Sequence, residues 1–290
     1  MTTLKPKLNK LRTDLYLLAR NKLTLAALVF IAFLIILAIL APVIAPHPEH
    51  IKDMTNPSAK LMAPCKEYLF GTDELGRDIF SRIIYGTRIS LLASVAAVCL
   101  AMLIGIPLGA IAGAMGGIVD DVIMRICDIF LSFPSLLLAI VIAAFAGPSL
   151  RNALIAIAIS WWPWYARIVR GQAISLKERP FVKASRAIGN TQGKIIFQHI
   201  VPNCMSPVIV QATMDLGGII LTLASLSFLG LGAQAPTPEW GLMINTSKTY
   251  FMNAWWYSVF PGIVIFLTVL SFNLVGDGVR EILDPRTRNK

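Results

Sequence analysis

Apolar residues gather along this chain in long runs, at about 25–45, 90–113, 126–147, 153–169, 207–233 and 258–276. Each run is near the roughly 20 residues that an α-helix needs to cross a hydrocarbon core about 30 Å thick. Inside lipid a backbone has no water to bond to, so a spanning segment must satisfy its own N–H and C=O groups and be helical. The pattern predicts an all-α integral membrane protein with about six transmembrane helices. The first run, Leu25 to Ala45, exceeds the roughly 7–15 residues of a signal-peptide core and is expected to stay as an anchor. The fourth is the shortest, confined between Arg151 and Arg167.

Charge supports keeping that fourth span and sets the orientation. With the N-terminus in the cytoplasm, six spans put about 18 of the 26 Lys and Arg residues inside, in the N-terminal tail, at Arg125, from Arg167 to Lys194 and after the last span. The outer segment 46–90 matches its basic residues with acidic ones. Without the fourth span the basic loop and the basic tail would both invert, so both termini are expected to be cytoplasmic. Trp161, Trp162, Trp164 and Tyr165, and Trp255, Trp256 and Tyr257, stand at span ends as interfacial aromatics do. The chain then divides into a cytoplasmic tail 1–23, an anchor 24–45, an extracytoplasmic segment 46–88, a five-helix core 89–276 and a cytoplasmic tail 277–290. Within the core lies a cytoplasmic loop, 170–203. Both this loop and the segment 46–88 are too long for simple connections, and loops of that size carry function.

Composition agrees: 56% hydrophobic and 14% charged residues suit lipid better than water. The net charge of +10 does not point to nucleic acid, because the basic residues flank apolar runs instead of forming a basic face with groove-reading elements. Cys65, Cys99, Cys127 and Cys204 lack the close spacing of a zinc or redox motif and read as packing residues. His47 and His50 flank Pro48 and Glu49 in a turn that makes a poor metal site, His199 is isolated, and no metal or catalytic set is predicted. The stretch Gly189 to Ile195 has three residues between its glycines, not four, and Ile195 stands where a phosphate-binding loop needs Ser or Thr. Active transport would then draw its energy from a partner.

Gly105, Gly109 and Gly113, at steps of four, strip one stripe of a helix of side chains and favour close approach of another helix. Asp215 falls inside the fifth run, where a carboxylate costs about 2.5–3.5 kcal/mol on insertion scales. It suits either a hydrogen bond across the bundle or a place on a translocation path. Asp128 is expected to pair with Arg125 three positions away. The loop 170–203 reads as two short helices, with Pro180 at a helix start and Gly189, Asn190 and Gly193 at the turn. Phe181, Ala184 and Ile188 share one face of the first, while Lys183 and Arg186 lie elsewhere. Such a helix suits a lipid surface or a groove on a protein, and its periodicity does not choose between them.

Three stretches carry a resemblance: FGTDELGRDIFSRIIYGTRISL at 70–91, SFLGLGAQAPTPEWG at 227–241 and NLVGDGVREILDPR at 273–286. With Phe181 to Asn203, which looks like the coupling loop called the EAA motif, they resemble the permease subunits of binding-protein-dependent ABC importers of the dipeptide, oligopeptide and nickel type. Ala184 and Gly189 match that loop's alanine and glycine, and Pro202 with Asn203 its closing proline and asparagine. Lys183 replaces the motif's glutamate and Ser185 its second alanine. The resemblance implies a type I importer fold in a bacterial or archaeal plasma membrane. It also implies a second permease, two cytoplasmic ATPases that hold ATP and magnesium, and an extracytoplasmic binding protein. Phe181 to Gly189 would dock in an ATPase cleft, and this chain would bind no cofactor itself. The segment 46–88 and the loop around Trp240 are candidates for meeting the binding protein or the partner permease. A secondary transporter driven by an ion gradient is the alternative. It would call for several intramembrane acids and an inverted repeat, where the chain has one well-placed acid and no repeat.

Overall fold

A computed structural model describes residues 21–51 and 54–283, so the basic N-terminal tail and the residues after Leu283 lie outside the described part. Among the described residues every element is helical, and one antiparallel bridge joins Thr72 to Asp78. The longer elements are α1 (Lys22–Ile44), α2 (Ile79–Met115), α3 (Gly117–Leu131), α4 (Ser135–Ala146) and α5 (Leu150–Lys177). After them come the short α6 (Pro180–Ala187) and α7 (Gln192–Ile195), then α8 (Val201–Phe228), α9 (Trp240–Ser247) and α10 (Trp255–Leu283). Among the described residues, four continuous helices are long and apolar enough to cross a membrane, and a fifth span results if α3 and α4 count as one. α5, at 28 residues, has the length but not the composition. It spends its sequence on small buried residues such as Ala153, Ala156, Ala158, Ala166 and Ala173, which suit packing against protein better than lipid.

Several boundaries differ from the sequence expectation. The run 126–147 is not one straight span: α3 and α4 meet at an 88° bend. Pro134 disfavours helical backbone at the residue before it, and the Ser132 hydroxyl donates to the Ile129 carbonyl at 2.7 Å, ending α3 locally. α2 starts at Ile79, ten residues ahead of the expected core boundary. Arg82 interrupts the apolar pattern there, but it is buried among polar partners instead of facing lipid. The loop 170–203 is mostly not loop. Its first eight residues finish α5, its last twelve lie in α7, a wide turn over Ile196–Ile200 and the start of α8, and only Glu178–Thr191 with α6 remains between them. The wide turn precedes Pro202, which has no N–H to return to the turn before it. α10 likewise continues past the expected end of the last span.

The chain forms two compact units. The first comprises residues up to Ser90, Thr213–Leu221 and the chain from Pro236. In it α1 lies along α10, and Ile79, Ile83, Met243, Ala254, Trp256 and Tyr257 form a buried cluster. Phe70 stacks on Phe260 beside that cluster, with ring centroids 4.1 Å apart. The second unit comprises Leu91–Ala212 and Thr222–Ala235, where α4 and α3 pack on α5 and Cys127, Trp162 and Ala166 are buried together.

Candidate functional site

α6 starts where Pro180, with its fixed φ, follows the extended Arg179. It ends at Gly189, whose φ of +84° is the left-handed backbone that a side chain disfavours. The Gly189 N–H donates to the Arg186 carbonyl at 3.0 Å and the Asn190 N–H to that of Ser185 at 3.2 Å. The Asn190 side-chain amide adds a bond to the Ser185 hydroxyl at 2.9 Å, so the serine that replaces the motif's alanine helps close the helix. Val182 and Ser185 are buried, while Phe181, Ala184 and Ile188 are exposed, Ile188 by 80%. The three apolar residues thus form the outward face of a helix pinned by its other side. Lys183 pairs with Glu178 at 2.9 Å across the helix start, which holds that exposed carboxyl below its usual range. Phe181 meets the ring of His199 edge to face, and Pro202 is exposed at the head of α8.

The glycine stripe packs on α5. A Cβ on Gly105 would lie 2.5 Å from the Trp162 carbonyl oxygen, one on Gly113 2.6 Å from that of Arg170, and one on Gly109 would strike the Ala166 carbonyl. Glycines at steps of four meet carbonyls at steps of four, so two backbones run in contact over about two helical turns. α3 is tied to α5 as well. Asp128 takes Arg167 as its partner and not Arg125, because the two helices face each other there. Arg170 forks onto Asp120, Nε to Oδ1 at 2.5 Å and Nη2 to Oδ2 at 2.7 Å.

In the first unit the stretches 70–90 and 236–241 close around buried charge, which the hydropathy pattern did not single out. Asp73 accepts the N–H groups of Leu75 and Arg77 at 2.9 Å each and the Arg77 Nε at 2.7 Å, with the Arg82 guanidinium 3.6 Å away. Arg82 donates to the carbonyls of His50 and Pro236 at 3.4 and 3.3 Å, and Asp78 accepts the N–H and hydroxyl of Ser81 at 2.8 and 2.6 Å. Glu239 caps α9 through the Leu242 N–H at 2.8 Å and accepts the Ser90 hydroxyl at 3.3 Å. Trp240 is 1% exposed and donates its indole N–H to the Ile83 carbonyl at 3.2 Å. It is a core residue here, which removes it as a direct contact for a binding protein. The alternation of glycine with charged residues in Gly71 to Asp78, just ahead of a helix, was the available signal for this knot.

His47, Glu49 and His50 bring potential metal-ligand atoms within 4.8 Å of one another. His50 Nδ1, however, accepts the Asp78 N–H at 3.1 Å, so the neutral ring carries its proton on Nε2 and has no lone pair to offer a metal. Burial, with His47 nearby, pushes the His50 pKa down. The cluster is a docking contact of the segment 47–51 on the start of α2. Asp215 is half-buried in α8, in a stretch that packs closely on α10: a Cβ on Gly217 would come within 2.8 Å of the Asn273 side chain, and one on Gly276 within 2.7 Å of Met214.

Comparison with known proteins decides what this scaffold is. Residues 105–289 match the family described as binding-protein-dependent transport system inner membrane component, and residues 16–64 match the N-terminal TM domain of oligopeptide transport permease C. The chain belongs to this family of ABC importer permeases. Similar to this permease are the dipeptide transport system permease of Alkalihalophilus pseudofirmus, 50% identical over 94% of this chain and 88% of that one, and the probable D,D-dipeptide transport system permease of Escherichia coli, 44% identical over 95% and 91%. The glutathione transport system permease of Pectobacterium atrosepticum is 43% identical over 93% and 89%. Among solved structures, the inward-facing MetNI methionine ABC transporter matches in fold with a TM-score of 0.55 at 21% identity, covering 69% of this permease and 96% of that chain. The permease is therefore a multi-pass membrane subunit of an importer that works with a separate ATPase and a binding protein, and the ion-gradient alternative falls away.

Proposed function

We propose that this permease forms half of the path for small peptides across a bacterial or archaeal plasma membrane, paired with a second related permease. Relatives at 43–50% identity are named for dipeptides, D,D-dipeptides and glutathione, which favours a peptide over a nickel chelate. The observation that carries the coupling assignment is the outward apolar face of α6. Phe181, Ala184 and Ile188 stand exposed on a short helix joined to α5 by two residues, as a contact with a cytoplasmic ATPase requires. ATP and magnesium belong to the ATPases in this reading, and the basic flanks of the spans favour a cytoplasmic side for both termini. Closure of the ATPases on ATP would displace α6 and shift the helices between inward-open and outward-open arrangements. Asp215 is assigned to the path, because a carboxylate in a membrane helix is retained where it faces protein or water.

The test is a permease without Cys65, Cys99, Cys127 and Cys204 that carries Ala184→Cys, assembled with its ATPases and crosslinked to single cysteines on them. ATP-dependent crosslinking is expected, and Ala184→Trp is expected to abolish dipeptide uptake. Full uptake by Ala184→Trp with no crosslink from Ala184→Cys would return α6 to a lipid surface. For the path, Asp215→Asn should change uptake kinetics more than complex yield, and unchanged kinetics across pH would make the residue structural.

A further inference from the structure

Arg170 is held on two sides. Its carbonyl lies against Gly113 of α2, and its guanidinium forks onto Asp120 in the first turn of α3. Seven residues later α5 ends, and Glu178 and Arg179 alone separate it from α6. At 1.5 Å rise per residue, Arg170 stands about 10 Å along α5 from that end. Whatever moves α6 therefore reaches Arg170 through a short, stiff piece of helix.

The joint on the other side of α3 is loose by construction. Gly116 and Gly117 connect α2 to α3 with φ of +68° and +57°, no atom lies within 4 Å of where a Cβ on Gly117 would be, and near Gly116 only Lys177 Nζ approaches, at 3.8 Å. A two-glycine joint in open space does not set the direction of the helix that follows it. Ties to α5 must set it: the buried Cys127, Trp162 and Ala166 cluster holds the later part of α3, and two ion pairs supply the polar ties. Of the two ion pairs, Arg167 with Asp128 is about half exposed on both sides, the kind of pair that contributes little. Arg170 with Asp120 is more enclosed, at 35% and 13% exposure, and bidentate, so it fixes an angle as well as a distance.

We infer that the Arg170–Asp120 pair is the strut that makes α3 move as one body with α5 and the coupling helix, so that a displacement of α6 reaches the 88° elbow between α3 and α4. Both are positioning residues, and the inference rests on the coupling role of α6 proposed above. Loss of the strut leaves α6 able to engage the ATPase while the start of α3, ahead of its packing at Cys127, shifts on its glycine joint. Hydrolysis then continues and transport per ATP falls.

The test uses the assembled importer in lipid, with the permease freed of its four native cysteines and carrying Ile118→Cys on α3 and Arg186→Cys on α6 as spin-label sites. Both positions are exposed. With the pair intact, the α3–α6 distance distribution is expected to stay narrow with and without ATP. With Asp120→Asn or Arg170→Lys it should broaden at least twofold, while ATP hydrolysis stays within about twofold and dipeptide uptake per ATP drops tenfold or more. The exchange Asp120→Arg with Arg170→Asp should restore both readouts. An unbroadened distribution and an unchanged transport ratio in Asp120→Asn would overturn the strut. So would single variants that fail to assemble and an exchange that does not rescue them, since the pair would then be a folding element only. The Ala184→Cys crosslink separates the two ideas: its absence from an otherwise unaltered permease sinks the coupling reading, while its persistence in Asp120→Asn with full transport sinks only the strut.

Discussion

The contact between α2 and α5 gives a prediction with an internal control. Gly109→Ala puts a methyl group against the Ala166 carbonyl, with the Ala166 C and Cα atoms 2.9 Å away, all of them backbone. No side chain can swing aside, so the helices must part. At neighbouring Gly113 the distance would have to grow from 2.6 Å to about 3.4 Å to become ordinary contact, a separation of about 0.8 Å shared along the stripe. Overpacking of this kind costs about 1–3 kcal/mol, against a gain of about 1 kcal/mol from replacing glycine by alanine within a helix. On α8, a methyl group added at Gly218 would meet no atom within 4 Å, so Gly218→Ala keeps the propensity gain without the clash. The two substitutions, chemically the same, should therefore differ by about 1–3 kcal/mol in opposite directions from the unaltered protein, and Gly109→Val should lie further down. Thermal unfolding in lipid nanodiscs measures this, at roughly 2–4 °C per kcal/mol for a chain of this size. Equal melting temperatures for Gly109→Ala and Gly218→Ala would refute the backbone contact.

Acid should weaken the first unit through His50. Its depressed pKa means that the unfolded chain takes up the proton first, so this contribution to stability is fully present above the ordinary 6.5 and is lost as pH falls through the lower folded value. His50→Asn, whose amide oxygen can accept the Asp78 N–H at any pH, should flatten that part of a melting curve taken from pH 8 to 5, and an unchanged acid slope would clear His50 of the effect. Trp240→Ala should destabilise by about 3–5 kcal/mol as a large buried side chain does, and Trp240→Phe by less. Full stability with lost binding-protein affinity would instead mark Trp240 as a docking residue.

What the sequence determined by itself is what lipid and local backbone chemistry demand. Apolar runs of spanning length must be helical, Pro180 and Gly189 bound a short helix, and glycines at steps of four clear a stripe, each signal read from residues close together along the chain. The family motifs added only the expectation that this helix meets an ATPase. Tertiary structure decided which helix fills the stripe, since nothing near Gly109 in sequence names Ala166. It also decided that Asp128 answers to Arg167 and not to its neighbour Arg125. Arg82 and Trp240 lie where residue type alone would not put them. Hydropathy scores a charged residue as a reason to end a membrane helix and a loop tryptophan as exposed, but burial beside Asp73 and the His50, Pro236 and Ile83 carbonyls supplies the partners that make both stable inside. Those partners lie up to 157 residues away, and only the folded chain brings them together.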